Sequence, residues 1–224
     1  PGSLWVMARK ITVTGFSTFF IDIAMGILTL LFNRQIMKYA GADALGVYGM
    51  IVNISTMVQC CGYSIGQAAQ PILSMNFGAG QGQRIRRTLH YALGSAVFFG
   101  VAWTLLLWLI PNGFVRIFMA PTAQVLAIAP KIVRTYALSF FFLPLNIFST
   151  YYFQALLKAG ASFSVSVSRG MVVSGILIYL LPIFGGIEAL WLAMPLTELL
   201  VAAAVVYLIR RYTRALPSSL CRQA

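Results

Sequence analysis

Only four acidic residues occur in this chain of 224, and one of them, Asp22, stands near the middle of an apolar run from about Ile11 to Phe32. An ionised carboxylate at the centre of a bilayer costs on the order of 2.5 to 3.5 kcal/mol or more, so Asp22 is expected to face protein or water rather than lipid. Gly15, Thr18, Asp22, Gly26, Thr29 and Asn33 recur at steps of three and four, which gathers them on one helical face. A polar stripe with one acid at its centre has the chemistry to take up and release a proton or a small cation. Its structural alternative is close helix packing, with the carboxyl held by a neighbour's hydrogen bond.

Two further sets of polar residues sit in apolar surroundings. Asn146, Thr150 and Gln154 follow Pro144 at fourfold spacing, and Asn53, Gln59, Gln67 and Gln70 share an earlier run. Such amides and hydroxyls either coordinate a cation, hydrate a cavity or hold helices together. Glu198, one turn after Pro195, is either a second proton site or the partner of a group on a neighbouring helix. Asp43 and Glu188 fall at loop edges, where solvation accounts for them, and His90 reads as an interfacial side chain. Phe16, Phe19 and Phe20 lie close to Asp22, and Phe140, Phe141, Phe142, Tyr151 and Tyr152 accompany the second stripe. Aromatic faces beside a carboxylate suit a lipophilic organic cation.

Other chemistries find no support. No nucleophile and base constellation or metal-ligand spacing occurs, so catalytic and metal sites are expected to be none, the chain is not expected to be an enzyme, and no organic cofactor is implied. The Gly78, Gly80, Gly82 run lacks the Lys-Ser/Thr ending of a phosphate-binding loop. Cys60 and Cys61 are adjacent and Cys221 lies in a basic tail, which makes neither a disulfide framework nor a metal site.

The elements that must position these residues are helices in a membrane. Hydrophobic residues make up 60% of the chain and charged ones 9%, with a mean hydropathy of +0.86, which excludes a soluble globular domain. The net charge of +12 is scattered between apolar runs instead of gathered on one face, so nucleic acid is not an expected partner. Taking ~20 apolar residues per crossing gives an all-α integral membrane protein, a bundle of six transmembrane helices in a single domain over 1–224. The spans run at about 11–32, 45–75, 89–110, 123–157, 163–184 and 188–209. Between the second and third, the apolar helix is expected to end at an elbow that opens at Gly66 and closes with Arg84, Arg86 and Arg87. Pro111, Asn112 and Gly113 read as a turn that stops the third span, and Pro130 and Pro144 as natural break points in the long fourth one.

Placing both termini in the cytoplasm puts Arg9, Lys10, Arg84, Arg86, Arg87, Lys158, Arg169, Arg210, Arg211, Arg214 and Arg222 inside. Arg34, Lys38, Arg116, Lys131 and Arg134 then lie outside. The positive-inside rule favours this arrangement, in a plasma or inner membrane whose lipid bilayer is the first partner. Pro1, Gly2 and Ser3 precede the first methionine, Met7, and read as a cut within a longer chain or a leftover of cloning.

Gly66, Gln67, Ala68, Pro71, Ser74, Asn76, Gly78, Ala79 and Arg84 closely resemble a motif of the MATE family of multidrug and toxic compound extrusion transporters. Gly15, Phe16 and Phe20 before Asp22, then Asn33, and later Trp191 and Pro195, are similar to that family's seventh and twelfth helices. The resemblance extends from about Gly15 to Arg211. It implies the second six-helix lobe of a twelve-helix, pseudo-two-fold fold, with the N-terminal six-helix half of the same transporter as partner. It also implies efflux of small organic cations by antiport against protons or sodium ions. On that footing Asp22, Asn33 and Asn53 are the ion-coupling candidates, and Phe20, Gln59, Gln67, Gln70, Asn146, Thr150, Gln154 and Glu198 the substrate-cavity candidates. The second acid that some members carry on the tenth helix is absent, the fourth span offering Asn146, Thr150 and Gln154 instead. Two rivals are a lipid-linked flippase of the same superfamily, which needs a basic cavity where no arginine is expected mid-span, and a non-transporting six-helix scaffold that dimerises.

Overall fold

The computed structural model describes Ile23 and residues 26–216. Asp22, Phe20 and most of the first predicted span lie outside the described residues. Helix α1 covers 26–39, and the chain continues through α2 (Gly41–Gly78), α3 (Gly82–Leu109), α4 (Pro111–Phe118), α5 (Ala123–Ala155), α6 (Ala159–Val167), a π-helical turn (Ser168–Val172), α7 (Val173–Trp191) and α8 (Ala193–Arg214). Among the described residues five stretches are long and apolar enough to cross a membrane: α2, α3, α5, the continuous run Ala159–Trp191, and α8.

Helix α5 is the axis of the bundle, because it alone packs against α2, α3, α4, α6, α7 and α8. Its first turn is set by Thr122, whose side chain accepts a hydrogen bond from the Val125 N–H at 3.2 Å, an N-cap that satisfies one of the four orphan donors of a helix start. Pro130 and Pro144 are carried inside this helix without interrupting it. Prolines are tolerated inside membrane helices because neighbouring helices and side chains re-satisfy the backbone groups they free.

Two local expectations change. Helix α2 runs through Gly66 to Gly78, close to the expected end of the span near 75, and the chain turns at Ala79, Gly80 and Gln81, with Gly80 at φ 67°. Gly66 is a packing residue instead: a Cβ there would stand 2.3 Å from the Tyr151 ring, and one at Gly62 would stand 3.0 Å from Ile147 Cβ and 3.1 Å from Pro144 Cα. The pair Gly62 and Gly66 has the small-xxx-small spacing that lets two membrane helices approach closely. Pro111, in turn, does not only stop α3; it sits in the first turn of α4, where its missing N–H costs nothing.

The run Ala159–Trp191 carries two distortions. At Ser168–Val172 the backbone takes a π turn, and at Gly186 (φ 61°, ψ −152°) it leaves helical geometry in a region that only glycine occupies comfortably. The ends of the bundle are tied by arginines. Arg86 Nη2 donates to the terminal carbonyls of Thr213 and Leu216 at 3.4 and 3.2 Å, capping the C-terminal end of α8. At the opposite end of α3, Trp108 Nε1 donates to the Arg134 carbonyl while Arg134 Nε donates to that of Trp108, at 2.9 and 3.0 Å.

The apolar core divides into two clusters. One contains Phe32, Tyr48, Ile51, Ile54, Tyr136, Phe140, Ile147 and Trp191; the other contains Leu73, Ile85, Phe148, Tyr152, Phe153, Val201 and Val205. Helices α3 and α5 meet so closely that a Cβ at Gly100 would lie 2.5 Å from the Phe141 carbonyl oxygen, a backbone atom that cannot rotate away. Gly100→Ala is therefore expected to destabilise the protein by about 1–3 kcal/mol. Gly94→Ala on the same helix, where nothing lies within 4 Å, should leave stability unchanged or slightly raised. Thermal unfolding of the two variants in detergent separates them, and equal midpoints would show that α3 can draw back.

Candidate functional site

At the seam between the two apolar clusters lies a buried charged centre. Glu198 on α8 is fully buried, and its Oε1 accepts a hydrogen bond from Arg169 Nε at 2.7 Å. Its Oε2 accepts from Asn146 Nδ2 on α5 at 2.6 Å, and the same amide donates to the Glu198 backbone carbonyl at 2.9 Å. The Arg169 side chain is 16% exposed and that of Glu198 1%. Both carboxylate oxygens are thus engaged by groups from two other elements, which is what a charge removed from water requires.

Local structure explains how the three residues meet. Pro195 occupies the first turn of α8, where a proline is harmless, so Glu198 follows one turn into a sound helix. Asn146 comes just after Pro144, on the buried side of α5. Arg169 lies inside the π turn, whose additional residue rotates the side chains beyond it relative to an unbroken helix. Tyr136 and Tyr63 are within electrostatic reach of Arg169, and Tyr136 also of Glu198. Two buried polar atoms, Asn146 Oδ1 and Ser174 Oγ, find no hydrogen-bond partner among the described residues.

The placement of Arg169 overturns a sequence expectation. It does not mark the cytoplasmic surface; it lies within a membrane-crossing run, paired with a buried acid. Arg169 is therefore the partner of a buried acid inside a candidate span rather than a free surface charge. A signal was present in the sequence: Arg169 stands six residues inside the predicted span 163–184, and an arginine can enter lipid only with a counter-ion such as Glu198.

The remaining candidates are dispersed. Gln70 on α2 donates to Gln154 Oε1 on α5 at 3.4 Å, and Gln154 in turn donates to Ser162 Oγ on α6 at 3.3 Å, a polar chain joining three helices. Thr150 donates to the Ile147 carbonyl at 2.8 Å within its own helix, Asn53 to that of Gly49 at 3.0 Å, and Gln59 to Ser55 Oγ at 3.3 Å. Gln67 is exposed and Asn33 half-buried. Asn146 and Glu198 alone among the described candidates form a charge-bearing contact, and they are shut inside the bundle.

A second feature appears only in three dimensions. Gly49, Asn53, Thr56, Cys60, Ser64, Gln67, Pro71, Ser74 and Gly78 recur at steps of three and four along α2, and all are exposed. This helix buries its Gly62 and Gly66 face against α5 and carries outward a stripe with Asn53, Thr56, Ser64, Gln67 and Ser74, beside exposed Met57, Tyr63, Ile72 and Met75. Among the described residues no group of three or more His, Cys, Asp or Glu side chains is arranged to hold a metal ion.

A family model described as MatE matches residues 17–180. The comparison with curated proteins returned no significant match. Among solved structures, an outward-facing conformation of a multidrug resistance MATE family transporter of the MOP superfamily is similar at 14% identity, over 95% of this chain and 48% of that one, with a TM-score of 0.83. An inward-facing conformation of such a transporter is similar at 15% identity, over 95% and 50%, with a TM-score of 0.85. A MOP superfamily transporter from Pyrococcus furiosus, whose binding pocket is described as of reverse polarity, is similar at 16% identity, over 95% and 48%, with a TM-score of 0.83. The chain spans about half the length of these structures, and at such identities the likeness establishes the fold.

The buried pair makes a stability prediction. Arg169→Leu leaves a carboxylate buried without its cation and is expected to cost about 3–5 kcal/mol, whereas Arg169→Leu with Glu198→Leu should recover most of the loss. Thermal unfolding of the single and double variants measures this, and a stable single variant would show that the pair does not hold the helices together.

Proposed function

The chain belongs to the MatE family, and from that premise we propose that it forms the second six-helix lobe of a cation-coupled exporter of small organic cations. It is a multi-pass membrane protein with the MATE transporter fold. In the proposed mechanism this lobe and an N-terminal lobe of the same architecture enclose a central cleft that opens alternately to either side. The observation that carries the reading is the outward polar face of α2. A helix that crosses the membrane cannot leave Asn53, Thr56, Ser64, Gln67 and Ser74 against lipid without cost, even though Asn53, Thr56, Ser64 and Ser74 each bond to a carbonyl of their own helix. Water in a cleft, with a second lobe beyond it, meets that requirement.

The coupling ion is proposed to be a proton or sodium, taken up at Asp22 with Asn33 and Asn53 in support. Phe20, Gln59, Gln67, Gln70, Thr150 and Gln154 are proposed for the cavity wall. Similarity of the one lobe to both an outward-facing and an inward-facing neighbour supports movement as a near-rigid body. The termini are proposed to be cytoplasmic, in a cell membrane. The flippase reading needs a basic cavity. Arg169, within the run Ala159–Trp191, is neutralised by Glu198 and turned into the bundle, which favours the exporter.

Reconstituted in vesicles with its partner lobe, the chain is expected to drive efflux of ethidium under an imposed proton or sodium gradient. Asp22→Asn should abolish that efflux while the amount of folded protein stays the same, and the chain alone should move no dye. Undiminished efflux after the substitution would remove Asp22 from the mechanism, and vectorial efflux by the chain alone would overturn the two-lobe reading.

A further inference from the structure

Helices α2 and α3 leave an open groove of about 470 Å³ between them, on the flank of α2 beside its polar stripe, with which the groove shares Ser64. Small side chains make the hollow: Ala69 and Ala92 are buried at its floor and Ala68 is exposed beside them, while Ile65, Ile72 and Phe99 form the walls. Tyr91, Phe98, Leu105 and Leu109 stay exposed on α3, and on a helix that crosses a membrane such a surface lies against acyl chains. Along α3 the groove follows eleven residues from Thr88 to Phe99, about 16 Å, which matches the ~15 Å share of one leaflet in a ~30 Å hydrocarbon core. It is one leaflet deep.

The charges at one end of the groove decide its occupant. Thr88 and Tyr91 line the end nearest the turn between α2 and α3, and Arg87 reaches the same place. Its Nη2 donates to the Tyr91 hydroxyl at 3.5 Å, and its guanidinium stands 5.9 Å from the centre of that ring. Arg84, one turn before Thr88, lies on the same face of α3 and is exposed. Neither arginine makes an ion pair among the described residues, where Glu188 is taken by Lys131 and Glu198 by Arg169. Arg86 is committed to the carbonyls that end α8, and Asp43 stands at the far end of α2. Two exposed cations thus sit uncompensated at the mouth of an apolar trough. A second copy of this face would set two more arginines against them, and an apolar helix would leave them unmatched. A lipid phosphate with its acyl chain meets both requirements, the anion on the guanidinium groups and the chain along the alanines.

We propose that the α2–α3 groove is a binding site for an anionic phospholipid, with one acyl chain laid along the groove and the phosphate held by Arg84 and Arg87. Tyr91 stands where headgroup and chain meet, the level at which an amphipathic ring is favoured. A zwitterionic lipid fits the trough equally well, but its ammonium group faces the same arginines and weakens its hold. Holding a lipid here requires neither a second lobe nor a moving ion, so the site stands apart from the efflux reading.

The test is a competition titration of the full 224-residue chain in detergent, read by the anisotropy of an acyl-labelled phosphatidylglycerol. Unlabelled phosphatidylglycerol should displace the label roughly tenfold better than phosphatidylcholine of the same chains, the scale of one or two basic side chains acting at a membrane surface. Arg84→Gln with Arg87→Gln should abolish that preference. Arg210→Gln with Arg211→Gln, which removes the same charge from the C-terminal end of α8, should leave it intact and shows what diffuse charge alone contributes. Ala68→Phe, at an exposed position, fills the trough and should weaken both lipids together. Equal displacement by the two lipids, equal loss from the two arginine pairs, or binding indifferent to Ala68→Phe would each overturn the proposal. Displacement by glycerol phosphate as effective as by the whole lipid would do the same, because the site would then hold a soluble anion.

Discussion

The ion pair between Glu198 and Arg169, completed by Asn146, constrains more of this structure than any other contact. A charge carried into the interior of a membrane bundle loses its hydration at an effective cost of several kcal/mol, and only well-placed opposite charge and hydrogen bonds return it. The partners come from three separate elements: α8, α5 and the π turn. Their geometry must therefore agree within tenths of an ångström. A one-residue slip of α8 against α5 would break both carboxylate contacts at once, whereas the apolar neighbours on either side would tolerate it.

The pair also lies at a boundary. On α5 one apolar cluster reaches Ile147 and the next begins at Phe148; on α8 the first ends near Ala193 and the second begins at Val201. Between them the packing is polar and close, with Asn146 and Glu198 in the seam and Gly62 meeting Pro144 and Ile147 nearby. Leucine and phenylalanine layers slide over one another at modest cost, because dispersion is not directional. A hydrogen-bonded layer between two such clusters supplies the missing direction. Arg86 at one end of the bundle, and the reciprocal contact of Trp108 with Arg134 at the other, fix the helix termini in the same manner. Contacts at the middle and at both ends thus tie the helices into one unit.

Helix α2 shows how a single element serves two surroundings. Its glycine face admits α5 to van der Waals contact, and its opposite face keeps amides and hydroxyls in the open. Polar residues of the same chemical kind consequently do different things. Asn146 is sealed within the lobe as a ligand of Glu198, while Asn53 and Gln67 are exposed on a face that needs water or another lobe beside it.

Much of this architecture is legible in the residues. Long apolar runs broken by Gly80, Pro111 and Gly186 mark the membrane helices, because the bilayer demands length and hydrophobicity before any packing is chosen. The motif from Gly66 to Arg84 identifies the family for a similar local reason. Other matters are not local. Gly66 reads as a helix breaker by propensity, yet it lies inside α2 because the Tyr151 ring needs the space of its missing side chain. Arg169 reads as a surface charge by the positive-inside rule, yet it is drawn within the span by a carboxylate 29 residues away in the chain. Asn53 and Asn146 are the same residue type in similar apolar settings, and nothing in their neighbours along the chain distinguishes exposed from buried. The sequence by itself determined the helices, their membrane setting and the family, since these follow from composition and short-range spacing. Only the tertiary structure decided which polar groups hold the lobe together and which face away from it, because that depends on where other helices supply a counter-charge or leave a gap.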